Sequence, residues 1–481
     1  MPIELDTLAF DPAEARAALD QLPASSAVFA LYGAEAHAEP YIGRTPNLRG
    51  RLERLLLPSL KHPRRLQLAG RVREIRWRLT GSEFESLLAQ FELLEKVHGP
   101  KCLERMHLRA PAFVRFLGSN AYPRITVTHR PRRREAEWAY GPFQSRAVAE
   151  RYADEALKLF LLRRCTEDLD PNPSHPGCVY SEMKMCVAPC YQGCTDERYG
   201  EEAAAVERFL ATRGESRLVT LRTERDEASA RLEFEAAAAI HTQVQRVENV
   251  RALAPELVRP LSQLRAVVLQ ASAVPGEVAV FLYENGFMLG PAGFSTLGMR
   301  IQNEQSGSTS LFAHPMAIEA IPEDEAVGAA EEEPAGAKAQ VDLSGSAARL
   351  KSCPDAIRHS AEDCEAAGEN LAEDSLAGSS ASGSEGCEAA RAATPAKLTR
   401  GVLEGRMEEA LAALKERSQA PSATSRQGHL ALLKRWYYRP EARRSGEIFF
   451  PDAEGHWPVK AMLRGVGRVA AKMLAAGGRT E

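Results

Sequence analysis

The chain has 481 residues, too many for one hydrophobic core and enough for about three domains. Hydrophobic residues make up 44% and charged residues 26%, with a net charge of −4, so several globular units can form. No apolar run reaches the roughly 18 residues of a membrane helix, which excludes that class of function. The opening MPIELDTLAF has neither a basic start nor a long apolar core. No secretory signal is expected, and a cytoplasmic chain follows, in which cysteines are reduced, catalytic or metal-bound.

The near-neutral average conceals an asymmetry. Residues 41–80 hold eleven Arg or Lys against two Glu, whereas residues 321–390 hold sixteen acids against four bases. A compact basic stretch suits a polyanion, because each neutralised phosphate releases counterions. The plainer alternative is a solvated helix face. The acidic stretch is expected to stay in solvent.

Along the chain, residues 24–43 predict two short strands, VFALY and EPYIG, around a loop at 33–38. Leu48, Leu52, Leu55 and Leu56 then recur at helical spacing over 47–57. Residues 73–80 alternate as a strand, with Ile75, Trp77 and Leu79 on one side and arginines on the other. A helix is expected over 82–96, with Ser82 as N-cap and Glu85 completing a capping box. A second helical stretch covers 143–164, and five of the nine cysteines fall between Cys165 and Cys194. Residues 196–253 are helical in pattern, with a break near Gly214. Residues 263–300 turn β-rich, residues from about 321 to 396 collapse to Ala, Glu, Ser and Gly, and residues 397–481 recover helix formers and aromatics.

The segment Ala27-Val28-Phe29, followed by Tyr41-Ile42-Gly43-Arg44 and Asn47-Leu48-Arg49-Gly50-Arg51-Leu52, resembles the signature of GIY-YIG nucleases, in particular their excision-repair branch, the UvrC-type excinucleases. The resemblance implies a phosphodiesterase site. Tyr41 would contact or deprotonate the attacking water, Arg44 would stand in the assisting basic position, and Arg51 would clamp the scissile phosphate. A divalent metal, Mg²⁺ or Mn²⁺, is implied as well. At the family's metal-binding glutamate this chain has Gln90, whose neutral amide is a poor ligand for a hard cation, and Phe29 lacks the second tyrosine's hydroxyl. Glu92 lies about 200° round the helix from Gln90. Two readings therefore stand: a nuclease cutting 3′ of a lesion in double-stranded DNA, and a binding-only descendant.

Tyr122-Pro123-Arg124 and Tyr140-Gly141-Pro142-Phe143 resemble later landmarks of the UvrC-type excinucleases. So does the run Cys165-x12-Cys178-x7-Cys186-x3-Cys190. Four convergent thiolates suit an iron–sulfur cluster or Zn²⁺, and the resemblance implies [4Fe–4S], with Zn²⁺ as the alternative. Cys194 is a spare thiol or an alternative ligand. Residues 221–250 resemble the UVR motif, a helical hairpin that docks on the UvrB-like helicase of excision repair. Leu232, Ala238, Ile240, Val244 and Val247 are expected to form its seam. Phe234 would be an exposed anchor, with Leu232, Ala237 and Ala238 beside it at the partner.

The expected fold class is α/β, in six parts. A GIY-YIG mixed sheet (18–110) precedes a Cys-rich module (111–200), a helical region with the UVR motif (201–256) and a β-rich segment (262–320). A disordered acidic linker (321–396) and a small helical C-terminal region (397–481) follow. The second nuclease and the paired hairpins that the resemblance would place after residue 300 have no clear counterpart, so at most one incision is expected. The spacing Gly465-x-Gly467 allows either a phosphate-binding hairpin or an ordinary helix start.

Overall fold

The computed structural model describes residues 4–35, 38–58, 68–299, 399–416 and 421–477. The expected linker at 321–396 lies outside these residues, together with Cys353, Cys364 and Cys387. Three four-stranded antiparallel sheets organise the rest. No helix among the described residues is long and apolar enough to cross a membrane.

The first sheet contains β1 (Asp6–Ala9), β2 (Ala27–Gly33), β3 (Tyr41–Thr45) and β4 (Val72–Leu79), in the order β1-β4-β2-β3. The edge strand β1, which sequence reasoning missed, pairs Asp6 with Trp77. Alternation along β2 sorts the layers. Ala27, Phe29 and Leu31 pack under α1 (Ala15–Asp20) and α2 (Leu48–Leu56), against Leu19, Leu48, Leu52 and Leu55. Val28 and Ile42 face the other way, against Ala89 and Leu93 of α3 (Glu83–His98). Asn47 starts α2 by accepting from the Gly50 N–H at 2.8 Å. Ser82 caps α3 as expected, but the Glu85 carboxylate accepts from the N–H of Gly81 rather than that of Ser82.

A short helix α4 (Cys102–Arg105) leads to the second sheet. It contains β5 (Ala112–Phe116), β6 (Ile125–Thr128), β7 (Ala139–Phe143) and β8 (Arg259–Pro260), in the order β6-β5-β7-β8. Between β7 and β8 run α5 (Arg146–Leu157), α6 (Val179–Glu182), α7 (Asp196–Ala211), α8 (Glu215–Ala230) and α9 (Phe234–Ala252). Gly214, at φ 83°, makes the break foreseen between α7 and α8. Val114, Phe116 and Phe143 share one core with Tyr152, Tyr199, Phe209, Leu218 and Val247. The Cys-rich module and the helical region, separated on composition, therefore fold around the same sheet.

The third sheet contains β9 (Ala266–Ala271), β10 (Glu277–Glu284), β11 (Phe287–Ser295) and β12 (Glu447–Phe449), in the order β11-β10-β9-β12. Helices α10 (Arg400–Glu416) and α12 (Val459–Gly477) cover one face, placing Met407, Leu411, Met462 and Val466 on Val267, Leu269 and Val280. The other face, with Val268, Phe281 and Tyr283, packs on α11 (Ala423–Tyr437) and on Phe84 and Phe91 of α3. The C-terminal residues are thus no separate helical region: they supply a strand and three helices to the β-rich segment. Gly465 and Gly467 lie inside α12, where a Cβ on Gly465 would stand 2.6 Å from the Phe449 ring.

Candidate functional site

Tyr41 opens β3 with 36% of its surface exposed, opposite Leu31 and with its ring 6.1 Å from Phe29. Gly43 faces Phe29 directly. A Cβ there would stand 2.8 Å from the ring tip, which explains a glycine at this point of the motif. From α2, Arg51 Nη2 donates to the Tyr41 hydroxyl at a long 3.4 Å. The phenol and this guanidinium therefore meet on the α2 side of the sheet. Arg44 does not join them. Three residues along a strand is an odd step, so Arg44 projects with Ile42 toward α3, where its Nη1 lies 3.6 Å from Glu83 Oε1.

Glu83 is held more firmly by Arg439, whose two terminal nitrogens donate to both carboxylate oxygens at 2.7 and 2.9 Å. This bond, with the charges of Arg439 and Arg44, holds the Glu83 carboxyl below the ordinary range despite burial. Sequence reasoning missed Glu83 and Arg439 because 356 residues separate them. Gln90 sits half-buried on α3, in the layer opposite α2. Close by in sequence, Glu92 is half-buried as a residue, but its carboxyl is shut away and burial pushes it to about 7 against the pull of Arg78. Among the described residues, no group of three or more His, Cys, Asp or Glu side chains is arranged to hold a metal ion.

The six cysteines among the described residues are free thiols. Cys178 precedes α6, and Cys190 lies between Ala188 and Gln192, two residues with left-handed backbone. Burial lifts the Cys186 thiol to about 11, and the charges of Cys165, Cys178 and Cys190 add to the shift, so the four sulfurs neighbour one another. Arg163 Nη1 donates to Cys165 Sγ at 3.5 Å and the Ala188 N–H to Cys186 Sγ at 3.3 Å. Four neighbouring thiols, two of them with N–H donors on the sulfur, have the chemistry of a thiolate-ligated group. Cys194 faces Asp196, which accepts from the Tyr122 hydroxyl at 2.7 Å.

Helices α8 and α9 form a hairpin whose buried residues are Leu218, Leu221 and Ala228 on one arm and Val244, Val247 and Val250 on the other. Arg222 reaches Glu248 and Arg251 reaches Glu215 across it, each at 2.9 Å. Two expected seam residues are misplaced. The chain reverses at 231–233, so Leu232 takes φ 61° and stands 72% exposed in the bend, and Ala238 faces solvent. Ile240 is partly buried against the core. Phe234 begins α9 with 65% of its surface exposed, and Ala237 beside it is half-buried.

Residues 113–209 match the family described as the UvrC/Cho excinuclease middle domain, and residues 215–250 match the UvrB/uvrC motif. The UvrABC system protein C of Alcanivorax borkumensis is 28% identical over 211 residues, 44% of this chain and 34% of that protein. The protein of the same name from Methylococcus capsulatus is 28% identical over 279 residues, 57% of this chain and 44% of its own. That of Ruminiclostridium cellulolyticum is 26% identical over 275 residues, covering 56% and 44%. The chain thus spans less than half the length of these curated relatives. No solved structure matches it. Over that middle domain and hairpin, the chain is similar to the UvrC excinucleases.

Proposed function

We propose that this chain is a cytoplasmic, DNA-binding component of nucleotide excision repair that recruits a UvrB-like helicase through the tip of the α8–α9 hairpin. The observation that carries this reading is Leu232 and Phe234 exposed together at the tip of a hairpin closed by a buried apolar seam. Neighbouring large apolar side chains in solvent are a cost that a partner surface removes.

Of the two readings at the N-terminal sheet, binding without cutting is favoured. Hydrolysing a phosphodiester needs an activated water and a divalent metal, Mg²⁺ or Mn²⁺, to stabilise developing charge. Here Arg44 points to the opposite face from Tyr41 and Arg51, and Gln90 brings no charge for a hard cation. One observation favours the cutting reading: the Tyr41 hydroxyl lies within reach of Arg51, and a phosphate could bridge the two. Cys165, Cys178, Cys186 and Cys190 would hold a [4Fe–4S] cluster or, as the alternative, Zn²⁺. When bound, such a group supplies cross-linking of the loop to its helices and no step of hydrolysis.

The test is incision of a lesion-bearing duplex with Mg²⁺ or Mn²⁺ and the UvrB-like helicase present. The natural chain is expected to bind the duplex and leave it whole. Cutting 3′ of the lesion that disappears in Tyr41→Phe would replace this reading with the nuclease one. Cutting gained only in Gln90→Glu would identify the amide as what silences the site.

A further inference from the structure

Two clefts flank the place where α5 meets the last turns of α9. One, of about 330 Å³, is lined by Tyr152, Arg213, Glu248 and Arg251 among others. The second, of about 450 Å³, is lined by Arg151, Glu155, Lys158, Arg246 and Asn249 among others. Five cations thus face two carboxylates, and both carboxylates are engaged: Glu248 with Arg222 at 2.9 Å and Glu155 with Lys158 at 2.7 Å. Arg251 is matched by Glu215. Arg151, Arg213 and Arg246 have no described carboxylate within ion-pair distance, which leaves a surplus of charge along the groove.

Arg213 is the least satisfied of the three. It lies just past the end of α7 with φ 53°, and its Nε is buried without a hydrogen-bond partner. The neighbouring Arg259 guanidinium is shifted down from its ordinary range by burial and then by the charge of Arg213, against the opposing pull of Glu256. The buried Tyr152 phenol feels both Arg213 and Arg251 from the floor of the first cleft. Adjacent guanidiniums with an orphan donor call for an anion carrying several acceptor oxygens.

We infer that the α5–α9 groove binds the phosphate backbone of a nucleic acid. Arg151 and Arg246 line one cleft and Arg213 the other, so the three unmatched guanidiniums are placed to meet separate phosphates. No exposed aromatic ring lines either cleft, so the contact positions a backbone without reading bases. Phe234 lies twelve residues from Arg246, about 18 Å along the helix, so the hairpin tip stays open to a protein while the base holds DNA. This inference deepens the DNA-binding reading above and rests on it.

The experiment measures binding of the full chain to a short fluorescent duplex across a KCl series. It compares the natural protein with Arg151→Gln/Arg213→Gln/Arg246→Gln and with a control triple at exposed arginines elsewhere, Arg16→Gln/Arg443→Gln/Arg464→Gln. Each lost phosphate contact flattens the plot of log K against log salt by about 0.9, so the groove variant is expected to lose about 2–3 from the slope and at least about tenfold in affinity. The control is expected to change less. Should circular dichroism show the triple misfolded, Arg151→Gln/Arg246→Gln, at two exposed positions, is expected to lose about 2. An unchanged slope in a groove variant, while the natural chain binds, overturns the groove and leaves the DNA reading intact. Loss of the helicase partner with an unchanged slope also overturns it. A natural chain that binds no duplex overturns both.

Discussion

Gly428 lies in α11 where that helix presses on α3, and a Cβ there would collide with Cζ and Cε2 of Phe91. Phe91 is fully buried and set edge-on to His429 at 5.3 Å, so its ring has no room to swing aside. Two terms of opposite sign act on Gly428→Ala. Helix propensity favours alanine by about 1 kcal/mol. Overpacking a closed core costs about 1–3 kcal/mol. The expected net effect is destabilisation of up to about 2 kcal/mol. Phe91→Ala should cost about 3–5 kcal/mol by leaving a cavity. In the double variant the added methyl enters that cavity and the propensity gain survives, so it should be more stable than Phe91→Ala alone by about 1 kcal/mol. Urea unfolding followed by fluorescence suits the measurement, because Trp436 lies 5.5 Å from Phe84 in the same core. A stabilising Gly428→Ala, or a cycle that closes additively, would refute direct packing of α11 on α3.

The other expectations concern titration, the hairpin and the cysteines. Burial drives the His429 ring down to about 3, and its Nδ1 accepts from the Met288 N–H at 3.1 Å, so the folded state holds it neutral. The unfolded chain takes up the proton from about pH 6.5 downward, so this ring's contribution is full above that pH. It is lost toward pH 3 at up to about 1.4 kcal/mol per unit; an equally steep acid loss in His429→Gln would rule the ring out as the cause. Glu92 carries the opposite sign. Its raised value, about 7, means that the folded state binds the proton more tightly, so stability falls as pH rises from about 4.5 through 7. Glu92→Gln should therefore gain on the order of 1–3 kcal/mol over the natural chain at pH 8 and little at pH 4, and equal midpoints at pH 8 would count against it. Phe234→Ala should move the melting free energy by less than about 0.5 kcal/mol. The same change should weaken capture of the UvrB-like helicase by calorimetry at least about tenfold, and unchanged affinity would remove the tip from the interface. Chain purified without oxygen should carry iron that Cys186→Ser loses; zinc in its place selects the alternative, and neither metal sinks the site.

Much of the first sheet was readable because its signals are local. The alternation of β4, the leucine spacing of α2 and the Ser82 cap each act within a few residues. Gly214 was readable for the same reason. Three strands of the third sheet fall in the stretch read as β-rich, but its fourth was not legible, because β12 has three residues and pairs Ile448 with Val268 from far along the chain. A strand that short has no period to detect. The hairpin seam failed at Leu232 for a different reason: a helical count was carried through a bend in which φ turns positive, and beyond it the face is rotated. At the candidate site, the meeting of Tyr41 and Arg51 followed from a strand feeding directly into a helix. The separation of Arg44 from Tyr41 was equally available, since three is an odd number along a strand. The family pattern placed the two together, and alternation separates them.

That separation bears differently on side chain and backbone. The Arg44–Glu83 contact is long and more than a third exposed on both sides, a class of ion pair worth about 0–1 kcal/mol, and Glu83 already has the better bidentate partner in Arg439. An arriving phosphate could therefore draw the Arg44 guanidinium away from Glu83 at little cost. It cannot move the Arg44 Cβ to the face of Tyr41. A one-residue slip of β3 would do that, but it would also turn Ile42 out of its packing with Val28, Ala89 and Leu93 and break the pairing of Gly43 with Phe29. The register of β3 is held by residues with no part in chemistry. For that reason the N-terminal sheet fits holding a phosphate between Tyr41 and Arg51 better than assembling three groups around one.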